Sequence, residues 1–214
     1  MALIGVITGD IVDSTKIEGD DRTKLLSVLR SLLSHTLGEG VVASDIFRGD
    51  GFQVVVANAS RVARVALSIR SGLISGTPEH SSFLWDARLS VGVGMEEYVG
   101  DNVGTSDGIA FRLSGRKLDE MKNSRLSIIT QSDYLNEELA VEIPFVDDIV
   151  SSWTKNQAYV SNRFFELIPP QSVIVAKEMS ISTQRVNRLY HSAKVPLLLT
   201  FLNRFETVVN SMVI

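Results

Sequence analysis

The chain contains no cysteine. Disulfides and thiolate metal sites are therefore excluded, and a reducing, cytoplasmic setting is expected. Long apolar runs are also missing. The longest, around Val195 to Leu202, is broken by Pro196 and Thr200 and falls well short of the roughly 18 residues of a membrane span. The first residues carry no basic segment and reach an acid at Asp10, so neither a signal peptide nor a membrane partner is expected. Histidine is scarce. His35, His80 and His191 share no metal-ligand spacing and read as surface residues. The Walker A pattern is absent. Ser14 and Ser90 lack a Gly-x-Ser-x-Gly context or a paired His, so nucleophilic hydrolysis has no support.

What remains is an ordinary globular composition, 44% hydrophobic and 21% charged over 214 residues, enough for one large domain or two small ones. The net charge of −4 hides an asymmetry. Residues 151–214 carry seven Lys or Arg against three Glu, a balance of +4, and residues 1–150 carry −8. An acidic body with a basic tail suggests two domains, the tail facing nucleic acid.

Apolar periodicity orders the first 130 residues. Strands are expected at Leu3–Thr8, Val41–Phe47, Phe52–Ala57, Asp86–Gly94 and Leu126–Thr130, and helices at Asp20–Thr36, Arg61–Ile74 and Gly108–Lys122. In the third helix the stripe Ile109, Leu113, Leu118 and Met121 reads as its core face. The order β-α-β-β-α-β is an α+β, ferredoxin-like arrangement, in which the first and third strands lie side by side. Residues 140–152 read as a connector. Helices follow at Trp153–Leu167, Pro170–Met179 and Thr183–Ala193, then an apolar stretch from Val195 to Val209. The expected domains are 1–140 and 153–214, with a linker at 141–152.

Two short turns carry the chemistry. Gly9-Asp10-Ile11-Val12-Asp13-Ser14-Thr15 follows the first strand, and Arg48-Gly49-Asp50-Gly51-Phe52 joins the second to the third. Asp10 and Asp50 would meet at one sheet end, where paired carboxylates suit Mg²⁺ or Mn²⁺ and the phosphates it carries. The Ile11 carbonyl would add a metal ligand. Unpaired N–H groups from Val12, Asp13, Ser14 and Thr15 would hold phosphate oxygens. The competing reading is a plain helix-capping turn and an ordinary Asp-Gly hairpin. Arg112 and Arg116, four apart on one helix face, would reach a triphosphate or form a solvated basic face with Lys117 and Lys122.

With Arg88-Leu89-Ser90-Val91-Gly92-Val93-Gly94 and the run from Asp107-Gly108-Ile109-Ala110-Phe111 to Arg116, these motifs resemble the class III nucleotidyl cyclase catalytic domain, and more closely the SatD-type family of cyclase-like proteins. The resemblance implies two Mg²⁺ at Asp10 and Asp50, transition-state stabilisation by Arg116, and a site formed in a homodimer. Three positions depart from the cyclase pattern. Arg112 replaces an Asn, Ile46 replaces the Lys or Glu that reads the purine, and Thr105 stands where its partner Asp would be. Losing the Asn removes a transition-state contact of a kind worth roughly 2–4 kcal/mol.

The tail segment from Val173 to Leu189 resembles a helix-turn-helix, with Ala176 inside the first helix and Ser182 capping the second. Thr183, Gln184, Arg185, Asn187 and Arg188 would then face DNA. An αα-hairpin for dimerisation, or for packing on the first domain, is the alternative. The expected function is a nucleotide- and metal-binding transcriptional regulator. A divergent nucleotidyl cyclase and an inactive dimerisation scaffold are the other readings.

Overall fold

The computed structural model describes residues 3–35, 40–47, 49–98 and 107–212. Arg48 and Thr105, singled out in the sequence, lie outside the described residues.

The central strand is β1 (Leu3–Ile11). It runs antiparallel to β3 (Gly51–Val56) from Gly5↔Val56 to Asp10↔Gly51, and to β4 (Ala87–Tyr98) from Leu3↔Met95 to Ile11↔Ala87. Strand β2 (Val41–Phe47) pairs with β3 on the outside. The short β5 (Asp107–Gly108) pairs with the far end of β4, and β6 (Leu126–Thr130) runs parallel to β4 from Leu89↔Leu126. The order β2-β3-β1-β4 is the split βαβ arrangement expected from the element order.

Side chains alternate across a strand, so β1 serves two cores. Its odd-numbered Ile7 and Ile11 join Leu25 and Leu29 of α1 (Gly19–His35) and Ile69 and Leu73 of α2 (Val62–Gly76). Its even-numbered Ile4 and Val6 join Ala110 and Phe111 of α3 (Ile109–Glu120) on the opposite face. Asp10 has the parity of that second face. Helix α3 approaches β4 closely because Gly92 and Gly94 carry no side chain. A Cβ at Gly92 would stand 2.2 Å from the Ala110 carbonyl oxygen. The buried face of α3 is therefore Ala110, Phe111 and Ser114. Of the expected stripe only Met121 is buried, while Ile109, Leu113 and Leu118 are half-buried. Against β4 the contact is made by small residues, Gly92 and Gly94 with Ala110 and Ser114, while Phe111 packs among Ile4, Val6 and Val55.

The stretch 141–152, read from the sequence as a linker, is not an extended connector. It lies almost wholly within α4 (Asp133–Ser151), which continues through Pro144. Leu135, Leu139, Ile143, Val146 and Val150 recur at helical spacing and join the main core, so burial of this face outweighs the one backbone donor that proline lacks.

Four more helices follow: α5 (Lys155–Phe165), α6 (Ser172–Glu178), α7 (Thr183–Ser192) and α8 (Val195–Ser211). Trp153, Phe165, Leu202 and Phe205 enter the same apolar cluster as Leu3 and Ile7. Each such burial contributes roughly 1.5–3 kcal/mol. Polar ties reinforce the contact. Arg64 donates Nη1 to the Phe165 carbonyl at 3.1 Å and Nε to Glu206 at 2.9 Å, and Trp153 Nε1 donates to the Ala193 carbonyl at 3.0 Å. Because α5 and α8 cover its outer side, α2 is buried almost all round and not on one face. A smaller cluster of Val160, Val175, Ala176 and Val186 holds α5, α6 and α7 together. Among the described residues no helix is long and apolar enough to cross a membrane.

Candidate functional site

The two Asp turns meet as their strands dictate. Strand β1 extends to Ile11, so Asp10 sits in the strand, beside Gly51. The Ile11 N–H donates to the Asp50 carbonyl at 3.2 Å. Asp13 then takes a left-handed conformation (φ 54°), a turn its short polar side chain tolerates, and Ser14–Lys16 form a single 3₁₀ turn. That reversal brings the Ser14 hydroxyl to the Asp50 carboxylate, donating at 2.7 Å. Opposite, the hairpin turns at Gly49 (φ 82°), where a Cβ would meet the Arg22 guanidinium at 2.9 Å. Arg22 also donates to the Ser14 carbonyl at 3.4 Å.

An open cavity of about 410 Å³ results, lined by Asp10, Ile11, Val12, Asp13, Ser14, Thr15, Asp50, Arg88 and Lys122. The site residues expected from the two turns, Asp10 to Thr15 and Asp50, are all on this wall. Two details differ from expectation. The Val12 N–H is spent on the Asp86 carbonyl at 3.0 Å and is not open to a phosphate. Among the described residues, no backbone acceptor faces the amides of Asp13, Ser14 and Thr15. Ile11 is buried, so any ligand role for it belongs to its carbonyl.

The second difference is Arg88, which reaches the site from β4. It stands opposite Asp10 in register and donates Nε to Asp10 Oδ1 at 2.9 Å and Nη2 to Oδ2. Its Nη1 also holds the Met121 carbonyl at the end of α3, at 3.0 Å. The hydrogen bond to Asp10 raises the Arg88 pKa further, so this cation is permanent. The alternation Arg88, Ser90, Gly92, Gly94 placed Arg88 on the α3 face, and the pairing with Asp10 needed the β1–β4 register.

Arg112 and Arg116 are exposed on α3 and are not among the residues lining this cavity. Within one chain the two arginines and the two aspartates are not brought together. In the tail, Thr183, Gln184, Arg185, Asn187 and Arg188 are all exposed on α7, while Val186 is buried beneath them. Ser182 caps α7 by accepting from Arg185 N at 3.2 Å.

No family model matches the chain, and no curated protein matches it. Two solved structures share part of its outline. One is the active GGEEF domain of a diguanylate cyclase from Vibrio cholerae, 18% identical with a TM-score of 0.47, over 61% of this chain and 85% of that one. The other is a bacterial light-regulated adenylyl cyclase, 16% identical with a TM-score of 0.46, over 59% of this chain and 75% of that one. Neither likeness assigns a role to a residue here.

The donors on the cavity wall are oxygens, the carboxylates of Asp10 and Asp50 with backbone carbonyls beside them, which suit Mg²⁺ or Mn²⁺. Among the described residues there is no cluster of three or more His, Cys, Asp or Glu that would cage a metal without help. A cation on this wall would need ligands beyond these side chains.

Proposed function

We propose that this cavity binds a nucleotide together with a divalent metal, Mg²⁺ or Mn²⁺, and that the protein is a regulator whose helix α7 reads DNA. The observation that carries the first half is the hydrogen bond from Ser14 to Asp50, which ties the turn Asp13–Thr15 to the second carboxylate. Asp10, Asp50 and the Ile11 carbonyl would hold the metal. It would neutralise phosphate charge and fix the phosphate against the wall. The Thr15 hydroxyl and the amides of Asp13, Ser14 and Thr15 would bind phosphate oxygens, and Arg88 and Lys122 add positive charge on the same wall. The second half rests on the exposed polar row Thr183, Gln184, Arg185, Asn187 and Arg188, above a three-helix cluster that gives α7 a firm base.

The test is thermal stabilisation. Each of the four common nucleoside triphosphates is expected to raise the Tm only when Mg²⁺ or Mn²⁺ is present, and Asp10→Ala or Asp50→Ala removes the shift. Absence of any shift at millimolar nucleotide with metal sinks the reading.

A cyclase activity is the second reading, favoured by the exposed Arg112 and Arg116 on the sheet face that also carries Asp10. It requires a homodimer in which a second copy brings Arg116 to the Asp10–Asp50 wall, as the catalytic cation, with Arg112 on the triphosphate. Release of pyrophosphate that is lost in Asp10→Ala and Arg116→Ala would promote it over simple binding.

A further inference from the structure

Beside the cavity lies a ring of four charged side chains that none of the proposed ligand contacts uses. Arg70 of α2 is fully buried. It donates Nε to Asp86 Oδ1 at 2.9 Å, Nη2 to Asp86 Oδ2 at 2.7 Å and Nη1 to Asp147 Oδ1 at 2.7 Å. Arg125 closes the ring, giving Nη1 to Asp86 Oδ2 at 3.0 Å and its backbone N–H to Asp147 Oδ2 at 2.8 Å. Ser151 accepts from Arg70 Nη2 at 2.9 Å and donates to Asp147 Oδ1 at 3.2 Å. Two cations face two anions with nearly every polar atom matched, the condition under which buried charge is tolerated. Burial pulls the Arg70 pKa down, but Asp86 and Asp147 more than reverse it, and the net direction is upward.

The ring joins four elements: α2, the lead-in to β4, the lead-in to β6 and the last turns of α4. Its centre, Asp86, is tied to the site directly and through its neighbour. The Asp86 carbonyl accepts the Val12 N–H, and two residues further on Arg88 grips Asp10. At its other side Asp147 and Ser151 precede Trp153 and α5 directly. The ligand-facing turn and the start of the C-terminal helices therefore share one hydrogen-bonded anchor.

We infer that Asp86, held by Arg70 and Arg125, which Asp147 holds in turn, is the positioning device of the cavity and its tie to the C-terminal helices. These residues touch no ligand. They fix Val12, and through the start of β4 they fix Arg88. The effect on ligand affinity rests on the nucleotide reading; the hold on Val12 does not.

The test uses the full ¹⁵N-labelled chain without ligand and follows amide exchange at Val12. Arg125 is half-exposed, so Arg125→Met is expected to fold. It should speed Val12 exchange about tenfold, as should Asp147→Asn, with Arg125→Lys restoring protection because the lysine still reaches Asp86. Calorimetry with magnesium–ATP should then show affinity falling about tenfold in Arg125→Met and recovering in Arg125→Lys, in line with losses on removing a supporting partner. Unchanged Val12 exchange in Arg125→Met, the variant that decides alone should Asp147→Asn not fold, overturns the inference. So does faster exchange with unaltered ATP affinity. If the wild type binds no magnesium nucleotide at all, the nucleotide reading falls, and Val12 exchange still decides what the ring holds.

Discussion

Asp10 and Arg88 stand opposite each other on neighbouring strands, and the guanidinium grips both oxygens of the carboxylate. The wall that suits a metal ion thus already carries a cation of its own. A divalent ion bound here would compete with Arg88 for Asp10, whereas a phosphate would be attracted to Arg88.

Arg88→Met separates those two effects. The pair is about one-third exposed on the Arg side, so its loss costs about 1 kcal/mol in stability once solvent screening is allowed for. Free Mn²⁺ should then bind several-fold more tightly, because its competitor is gone, while nucleotide affinity falls. Calorimetric titration of Mn²⁺ alone and of Mn²⁺–ATP checks both signs. Weaker binding of free Mn²⁺ would show that Arg88 supports the metal and does not compete with it.

The seat of α3 on the sheet gives a stability prediction. A methyl group at Gly92 would lie 2.2 Å from the Ala110 carbonyl and 2.9 Å from the Ser114 nitrogen, both backbone atoms that cannot swing aside. Gly92→Ala must lift the helix, and overpacking of this kind costs typically 1–3 kcal/mol. The lift would also strain the Arg88–Met121 contact at the helix end. A denaturant midpoint equal to the wild type's would show that α3 rides more loosely than its contacts indicate.

Much of this was open to reading in the sequence, and what was not has physical causes. The juxtaposition of Asp10 and Asp50 followed from strand order, because antiparallel pairing of β1 with β3 brings the end of one to the start of the other. Arg88 opposite Asp10 depended on a register between strands nearly eighty positions apart, which no local pattern specifies. Asp86, Arg70 and Asp147 lie far apart in the chain, and no local pattern links them. Helix α2 reads as amphipathic by itself, and its charged side is buried only because α5 and α8 fold over it. The helical spacing of Leu135, Leu139, Ile143, Val146 and Val150 was present throughout, but Pro144 and the acids around it disguised it as a connector. In α3 the stripe of Ile109, Leu113 and Leu118 misled, since the closest approach to β4 is at Ala110 and Ser114 over Gly92 and Gly94.

The unit of α5, α6 and α7 has a pH signature. Arg163 on α5 donates Nε and Nη2 to Glu178 on α6, both at 2.9 Å, and Tyr159 adds its hydroxyl at 3.2 Å. The hydrogen bond from Arg163 holds the Glu178 carboxyl below the usual glutamate range. A carboxyl lowered in the folded state stabilises above its unfolded pKa of about 4.3 and loses that contribution as pH falls through the lower folded value. Amide protection in α6 should therefore drop on acidification below about pH 4, by an amount limited to about 1 kcal/mol for a solvent-exposed pair. Glu166 also contacts Arg163, so the control is Glu178→Gln, in which the α6 response to acid should largely vanish.

The DNA half of the proposal makes the sharpest demand on single residues. Arg185 and Arg188 are exposed on α7, three apart, and the buried Val186 between them faces the three-helix cluster. Replacing both with Ala leaves that cluster intact, so the far-ultraviolet dichroism and Tm should stay near wild type. Retention on double-stranded DNA is expected to fall, and the slope of log affinity against log salt to shrink by about 1 for each arginine that touches a phosphate. Loss of discrimination between sequences at constant salt slope would instead place the two arginines on base edges. If the double variant keeps wild-type affinity, salt slope and sequence preference together, α7 is not a nucleic-acid surface. The exposed row would then belong to the αα-hairpin alternative.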